Sequence, residues 1–67
     1  MKITLNNRIE EFFVDDISIS ELIKLKNFTF SMLVTKINGK LVKREDRETA
    51  IVREGDEVLI IHLISGG

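Results

Sequence analysis

The group best placed to do chemistry lies at the end of the sequence. Ser65-Gly66-Gly67 leaves an apolar run and finishes on a main-chain carboxylate. Two residues without Cβ make the slimmest thread a chain can offer, free to take extended or left-handed backbone. Such a thread can enter a narrow tunnel and present its carboxylate to another protein's active site. Composition alone also fits a frayed end, because small residues and disorder collect at termini. What favours the functional reading is that only Ser65 separates the glycines from the apolar segment 57–64.

No other reactive set assembles. The single histidine, His62, lies in that apolar segment with no carboxylate or nucleophile indicated near it, and reads as a partly buried or edge residue. The serine and threonine hydroxyls have no positioned base, so nucleophilic catalysis finds no support. The chain has no cysteine, which removes disulfides and thiol chemistry and fits a reducing compartment. Glycines at 39, 55, 66 and 67 lack phosphate-loop spacing. The expectation is no catalytic residue, no metal site and no bound cofactor.

Sixty-seven residues make one domain. A chain this short buries only about 60% of its unfolded surface, so it can hardly spare a substrate pocket of several hundred Å³. An autonomous enzyme is therefore disfavoured. A net charge of −1 argues against nucleic acid, whose binding needs a basic footprint. No apolar run approaches the roughly 20 residues that span a bilayer, and no signal peptide is visible. A cytoplasmic protein without membrane or nucleic-acid partners is expected.

The elements that must hold the tail are legible in outline. Residues 2–6 alternate polar and apolar, the period of a half-buried strand. Asn6-Asn7 is turn chemistry, and 8–14 returns as a second, less regular strand. Ser18 and Glu21 fit a capping box. Behind them Ile19, Leu22, Ile23 and Leu25 form one helical stripe, which Asn27 stops. Residues 30–37 read as a strand, and Asn38-Gly39 is a strong hairpin signal, returning through Lys40-Leu41-Val42. The run 43–48 is charged at every position and reads as a solvated loop, with docking on an acidic partner through Arg44 and Arg47 as the functional alternative. Residues 49–52 dip back toward apolar contact, 54–56 turn, and 57–64 form the most apolar strand. That strand is apolar on both faces, which places it inside a sheet. One helix covers one face; the other stays partly bare and is a candidate partner surface. With no hairpin tying it to its predecessor, this strand is free to insert beside the first.

The carboxyl-terminal half resembles a known family. Ile37-Asn38-Gly39-Lys40-Leu41-Val42, then Arg44-Glu45, Glu54-Gly55-Asp56-Glu57-Val58 and Ile64-Ser65-Gly66-Gly67 are similar to the ThiS sulfur carriers of thiamine biosynthesis. Lys43 departs from the pattern, which often has proline before the Arg-Glu pair, and residues 1–36 are family-like in element order alone. The resemblance implies an α+β, ubiquitin-like β-grasp: a mixed sheet of about four to five strands with one helix across one face. Residues 1–64 would form this domain and 65–67 a flexible tail.

It also implies a chemistry. An E1-like, ThiF-type adenylyltransferase would spend ATP to adenylate the Gly67 carboxylate. A sulfur donor, such as a cysteine desulfurase or rhodanese-like protein, would convert it to a thiocarboxylate. A ThiG-type thiazole synthase would then take the sulfur. Ser65, Gly66 and Gly67 would thread into the partner's site. Leu59, Ile61 and Leu63, by analogy with ubiquitin-like proteins, would point away from the helix as the partner-binding face. The alternatives are a molybdopterin-synthase small subunit, with the same terminal chemistry, a ubiquitin-like protein modifier, and an interaction module with an incidental tail.

Overall fold

A computed structural model of the chain describes residues 1–29 and 32–63. The strands β1 (Lys2–Leu5) and β2 (Arg8–Glu11) are antiparallel, with Leu5 opposite Arg8. Asn6 and Asn7 join them at φ 50° and 67°, left-handed backbone that asparagine tolerates because its short side chain bonds locally. The second strand stops at Glu11, short of the expected 14. Its partner runs out first: the carbonyl of Met1 takes the N–H of Phe12 at 2.8 Å, and Phe13 beyond it is fully exposed.

β3 (Asp16–Ser18) was not anticipated. It pairs antiparallel with β6 (Ile51–Arg53) in a separate two-stranded ladder. Three residues carry too little alternation to announce a strand; the partner makes it one. Ser18 ends β3 and caps α1 (Ile19–Leu25), its Oγ accepting the N–H of Glu21 at 3.0 Å. The reciprocal arm of the expected box is altered, since Glu21 Oε1 receives the Ser18 hydroxyl at 3.4 Å, while the Ser18 backbone lies in the ladder opposite Ile51. Asn27 stops the helix at φ 58°, with the N–H of Phe28 reaching the carbonyl of Ile23 and that of Asn27 reaching Lys24, both at 3.0 Å. This is a Schellman ending with asparagine where glycine is usual.

β4 (Leu33–Ile37) and β5 (Lys40–Val42) form the expected hairpin, with Asn38 at φ 51° and Gly39 at φ 82°. A single 3₁₀ turn, Arg44–Asp46, follows. β7 (Glu57–His62) then enters the sheet between β1 and β4, parallel to the first and antiparallel to the second, so the order is β2-β1-β7-β4-β5. The central insertion expected of the last strand is therefore observed. The core is Ile3, Leu5, Ile19, Leu22, Val52, Val58 and Ile60, sheet and helix residues closing on one another. Phe30, Ser31 and Ile64, placed in strands by pattern, lie outside the described residues.

Candidate functional site

β7 is the element that leads toward the tail. Its register against β4 sets its faces, because residues directly opposite in an antiparallel pair share a face. Thr35 lies opposite Ile60 and Ile37 opposite Val58 on the helix side; Val34 lies opposite Ile61 and Lys36 opposite Leu59 on the other. Val58 and Ile60 are buried, whereas Leu59 is half-buried and Ile61 and Leu63 are exposed at 42% and 51%. The face bearing Leu59, Ile61 and Leu63 is thus turned from the core. Leu41, exposed and opposite Lys36, extends it onto β5. A shallow groove of ≈ 350 Å³ lies where Leu63, Met32, Leu41 and Arg44 approach one another. His62 is exposed although it shares parity with Val58 and Ile60; the strand has run past the buried cluster.

The start of β7 is held by side chains that the sequence reading treated as simple turns. Asn38 Oδ1 accepts the N–H of Glu57 at 2.9 Å, and the Asn38 N–H donates to the Glu57 carbonyl at 2.7 Å. Its Nδ2 donates to Asp56 Oδ1 at 3.1 Å, and Asp56 Oδ2 accepts the N–H of Arg53 at 2.9 Å. Gly55 turns the chain at φ 84°, where a side chain would be strained, and its N–H donates to the Lys2 carbonyl at 2.8 Å. Glu54 Oε1 accepts the N–H of Lys2 at 2.9 Å. The Asn-Gly and Glu-Gly-Asp segments therefore form one staple joining β1, the β4–β5 turn and the entry to β7.

Two further contacts were invisible to sequence reasoning. Asn6 Nδ2 donates to the carbonyl of Ile60 at 3.0 Å, and Asn6 Oδ1 accepts the N–H of Ile60 at 2.8 Å. Arg47 is not a free cation of a solvated loop. Its Nε donates to Thr35 Oγ1 at 3.2 Å and its Nη2 to the carbonyl of Leu33 at 2.6 Å. Thr35, fully buried, passes its own hydroxyl proton toward the carbonyl of Val42 at 2.7 Å. Charge run 43–48 predicted solvent; Arg47 instead folds inward onto β4, while Arg44 stays exposed. A buried threonine two positions into β4 was the available signal, since its hydroxyl needs a partner.

Ser65, Gly66 and Gly67 lie outside the described residues. Among the described residues no group of three His, Cys, Asp or Glu side chains could hold a metal ion, and no helix is long and apolar enough to cross a membrane.

A mixed five-stranded sheet wrapped on one helix, with parallel β1 and β7 at its centre, is a β-grasp domain. The crystal structure of a thiamine biosynthesis protein (ThiS) from Geobacter metallireducens has this fold. It matches with a TM-score of 0.89 at 22% identity over 100% of both chains. An NMR solution structure of a thiamine biosynthesis protein from the same organism matches at 0.76 and 21% identity, covering 100% of this chain and 88% of the other. No match was found among curated proteins. The sequence model of the ThiS family matches residues 3–67, and the chain belongs to that family. It is accordingly a sulfur carrier of thiamine biosynthesis and a non-catalytic protein.

Proposed function

We propose that the Gly67 carboxylate is the sulfur-bearing group, and that 65–67 act as a flexible tail on a 1–64 β-grasp body. A ThiF-type adenylyltransferase activates the carboxylate: a carboxylate oxygen attacks the α-phosphorus of ATP and pyrophosphate leaves. The terminal sulfur of a donor persulfide then displaces AMP, and a thiol cleaves the S–S bond to leave the thiocarboxylate. Adenylation is needed because a carboxylate is a poor electrophile with no leaving group of its own. A ThiG-type thiazole synthase receives the sulfur in the cytoplasm. Ser65 and Gly66 supply reach, and a tethered nucleophile entering a closed site avoids the entropy of a free one. Leu59, Ile61 and Leu63 are the handle by which the partners grip the body.

The observation that carries this reading is a family match running to residue 67, together with the Ser-Gly-Gly end of the sequence. The outward face of β7 supports the handle, since a contiguous apolar patch on a small domain marks an interaction surface. Intact mass after incubation with the adenylyltransferase, ATP and a sulfur donor tests it. The native chain should gain the difference between sulfur and oxygen, and removal of Gly67 should abolish that gain. An unchanged gain after the deletion would sink the assignment.

A further inference from the structure

The chain as a whole is slightly acidic, with 11 Asp and Glu against 10 Lys and Arg, yet the groove beside β7 has the opposite sign. Met32, Leu41 and Leu63 form its exposed apolar wall, and Lys43, Arg44 and Arg47 are its charged lining; among the described residues no carboxylate lines it. Lys36 adds a fourth cation. It lies opposite Leu59 on β7 and opposite Leu41 on β5, so its half-buried side chain sits between two leucines of the outward face. In that arrangement a lysine stem covers apolar surface while the ammonium stays in water. Among the described residues the ion pair is Lys26 with Glu10, and Lys36, Lys43 and Arg44 take part in none. Glu57 shares the outward face, two residues before Leu59, without pairing to Lys36. Glu45 and Glu48 line the neighbouring groove with Ser20 and Phe28 instead.

Arg47 accounts for how these cations are held. Its bonds to Thr35 Oγ1 and the Leu33 carbonyl pin the 3₁₀ turn to β4, and the turn closes through the Asp46 N–H on the Lys43 carbonyl at 2.9 Å. Lys43 and Arg44 are thus set at the edge of the apolar patch by a side chain anchored on the sheet. Cations gathered without counter-charges repel one another and do nothing for the domain's own stability, whereas a surface of opposite sign gives them partners. We infer that the face bearing Leu59, Ile61 and Leu63 docks on an acidic protein surface: carboxylates of the adenylyltransferase flank an apolar seat and meet Lys36, Lys43 and Arg44. The inference rests on the carrier reading and gives its handle a sign. A free phosphate or nucleotide fits the face less well, because it would leave Met32, Leu41 and Leu63 uncovered.

A carrier that must reach one enzyme after another gains from fast encounter. Opposed charges raise the association rate and are screened by salt, while apolar contact is not. The native chain's association with the ThiF-type adenylyltransferase, followed by stopped flow, should slow about tenfold between low salt and about 0.15 M. Arg44→Glu reverses one exposed charge that makes no ion pair in the fold, and should slow association a further fivefold or so at low salt. That deficit should fall within about twofold at about 1 M, where charges more than a few ångströms apart no longer sense one another. Lys36→Met keeps an unbranched apolar stem and removes the charge, and should slow association about threefold. Arg8→Glu is the matched control for net charge. Arg8 is exposed on β2, at the other edge of the sheet from β5, and its variant should follow the native chain at every salt concentration.

Carbodiimide cross-linking of the complex identifies the partner's groups. The reagent activates a carboxylate, and an amine held against it forms an amide as the reagent's urea leaves. Peptides joining Lys36 or Lys43 to an Asp or Glu of the adenylyltransferase are expected, and cross-links through Lys24 on the helix are not. An association rate indifferent to salt, or equal slowing by Arg44→Glu and Arg8→Glu, would overturn the inference. Cross-links confined to Lys24 would place the partner on another face and do the same. If ATP alone, without enzyme, shifted the amide resonances of Lys43 and Arg44, the cations would serve a nucleotide and the acidic protein surface would be wrong. Each of these outcomes leaves the carrier reading intact so long as the native chain is adenylated. A native chain that is not adenylated at all would remove the carrier reading, and this inference with it.

Discussion

At Glu57 the central strand is bound by the side chain of Asn38, which Asp56 holds in place, and it lies between β1 and β4, whereas past Ile60 it exposes Ile61 and Leu63. The contrast sorts the sequence into two kinds of residue. Asn38-Gly39 and Glu54-Gly55-Asp56, the segments that make the family recognisable, spend their side chains and left-handed turns on the first end. The second end carries the outward apolar face and leads to the tail, and its exposed side chains are individually unremarkable leucines and isoleucines. What is conspicuous in the sequence is the scaffold. Asn6 holds β7 at Ile60, and Arg47 holds β4 at Leu33 and Thr35.

The comparison can be broken by substitution. Asp56→Ala removes the acceptors of both Asn38 Nδ2 and the Arg53 N–H, and should cost about 2 kcal/mol, the net worth of two solvent-exposed hydrogen bonds to a carboxylate. Chemical denaturation would show a lower midpoint at unchanged slope. The folded fraction should still be adenylated at the native rate. Asn38→Gly keeps the positive φ but deletes the carboxamide bonds to Glu57 and Asp56, and should cost about 1–2 kcal/mol by the same measurement. At the other end, Ile61→Ala should shift stability by no more than about 0.5 kcal/mol, because the side chain is 42% exposed. Its effect should be on partner affinity, read as a raised KM for the carrier with kcat preserved. If Ile61→Ala destabilised the domain more than Asp56→Ala, the division between the two ends would be wrong.

How much was legible depended on whether a signal was local. The Ser18 cap, the Asn27 stop and the Asn38-Gly39 turn each depend on backbone within a few residues, and all three are observed. The parity of β7 was also local: the split of Val58 and Ile60 from Leu59 and Ile61 is a two-residue period. Which face meets the helix was not, because both carry apolar side chains and only packing on Ile19 and Leu22 chooses. β3 escaped notice because three residues contain less than two periods of any pattern. Arg47 misled for a different reason. Charge at every position from 43 to 48 is a solvent signal on average, and an average says nothing of one guanidinium that finds a buried threonine and a strand carbonyl.

By itself the sequence determined the turns, the helix ends, the absence of thiol chemistry and the slim Ser65-Gly66-Gly67 end, because each follows from a residue type or a spacing of a few positions. Tertiary structure decided what those residues do for one another. Asn6 is a turn residue by type and a clasp on Ile60 by contact; Asn38 is a turn residue by type and an anchor for Glu57 by contact. Both partners lie many positions away, and only the insertion of β7 between β1 and β4 brings them within hydrogen-bond reach.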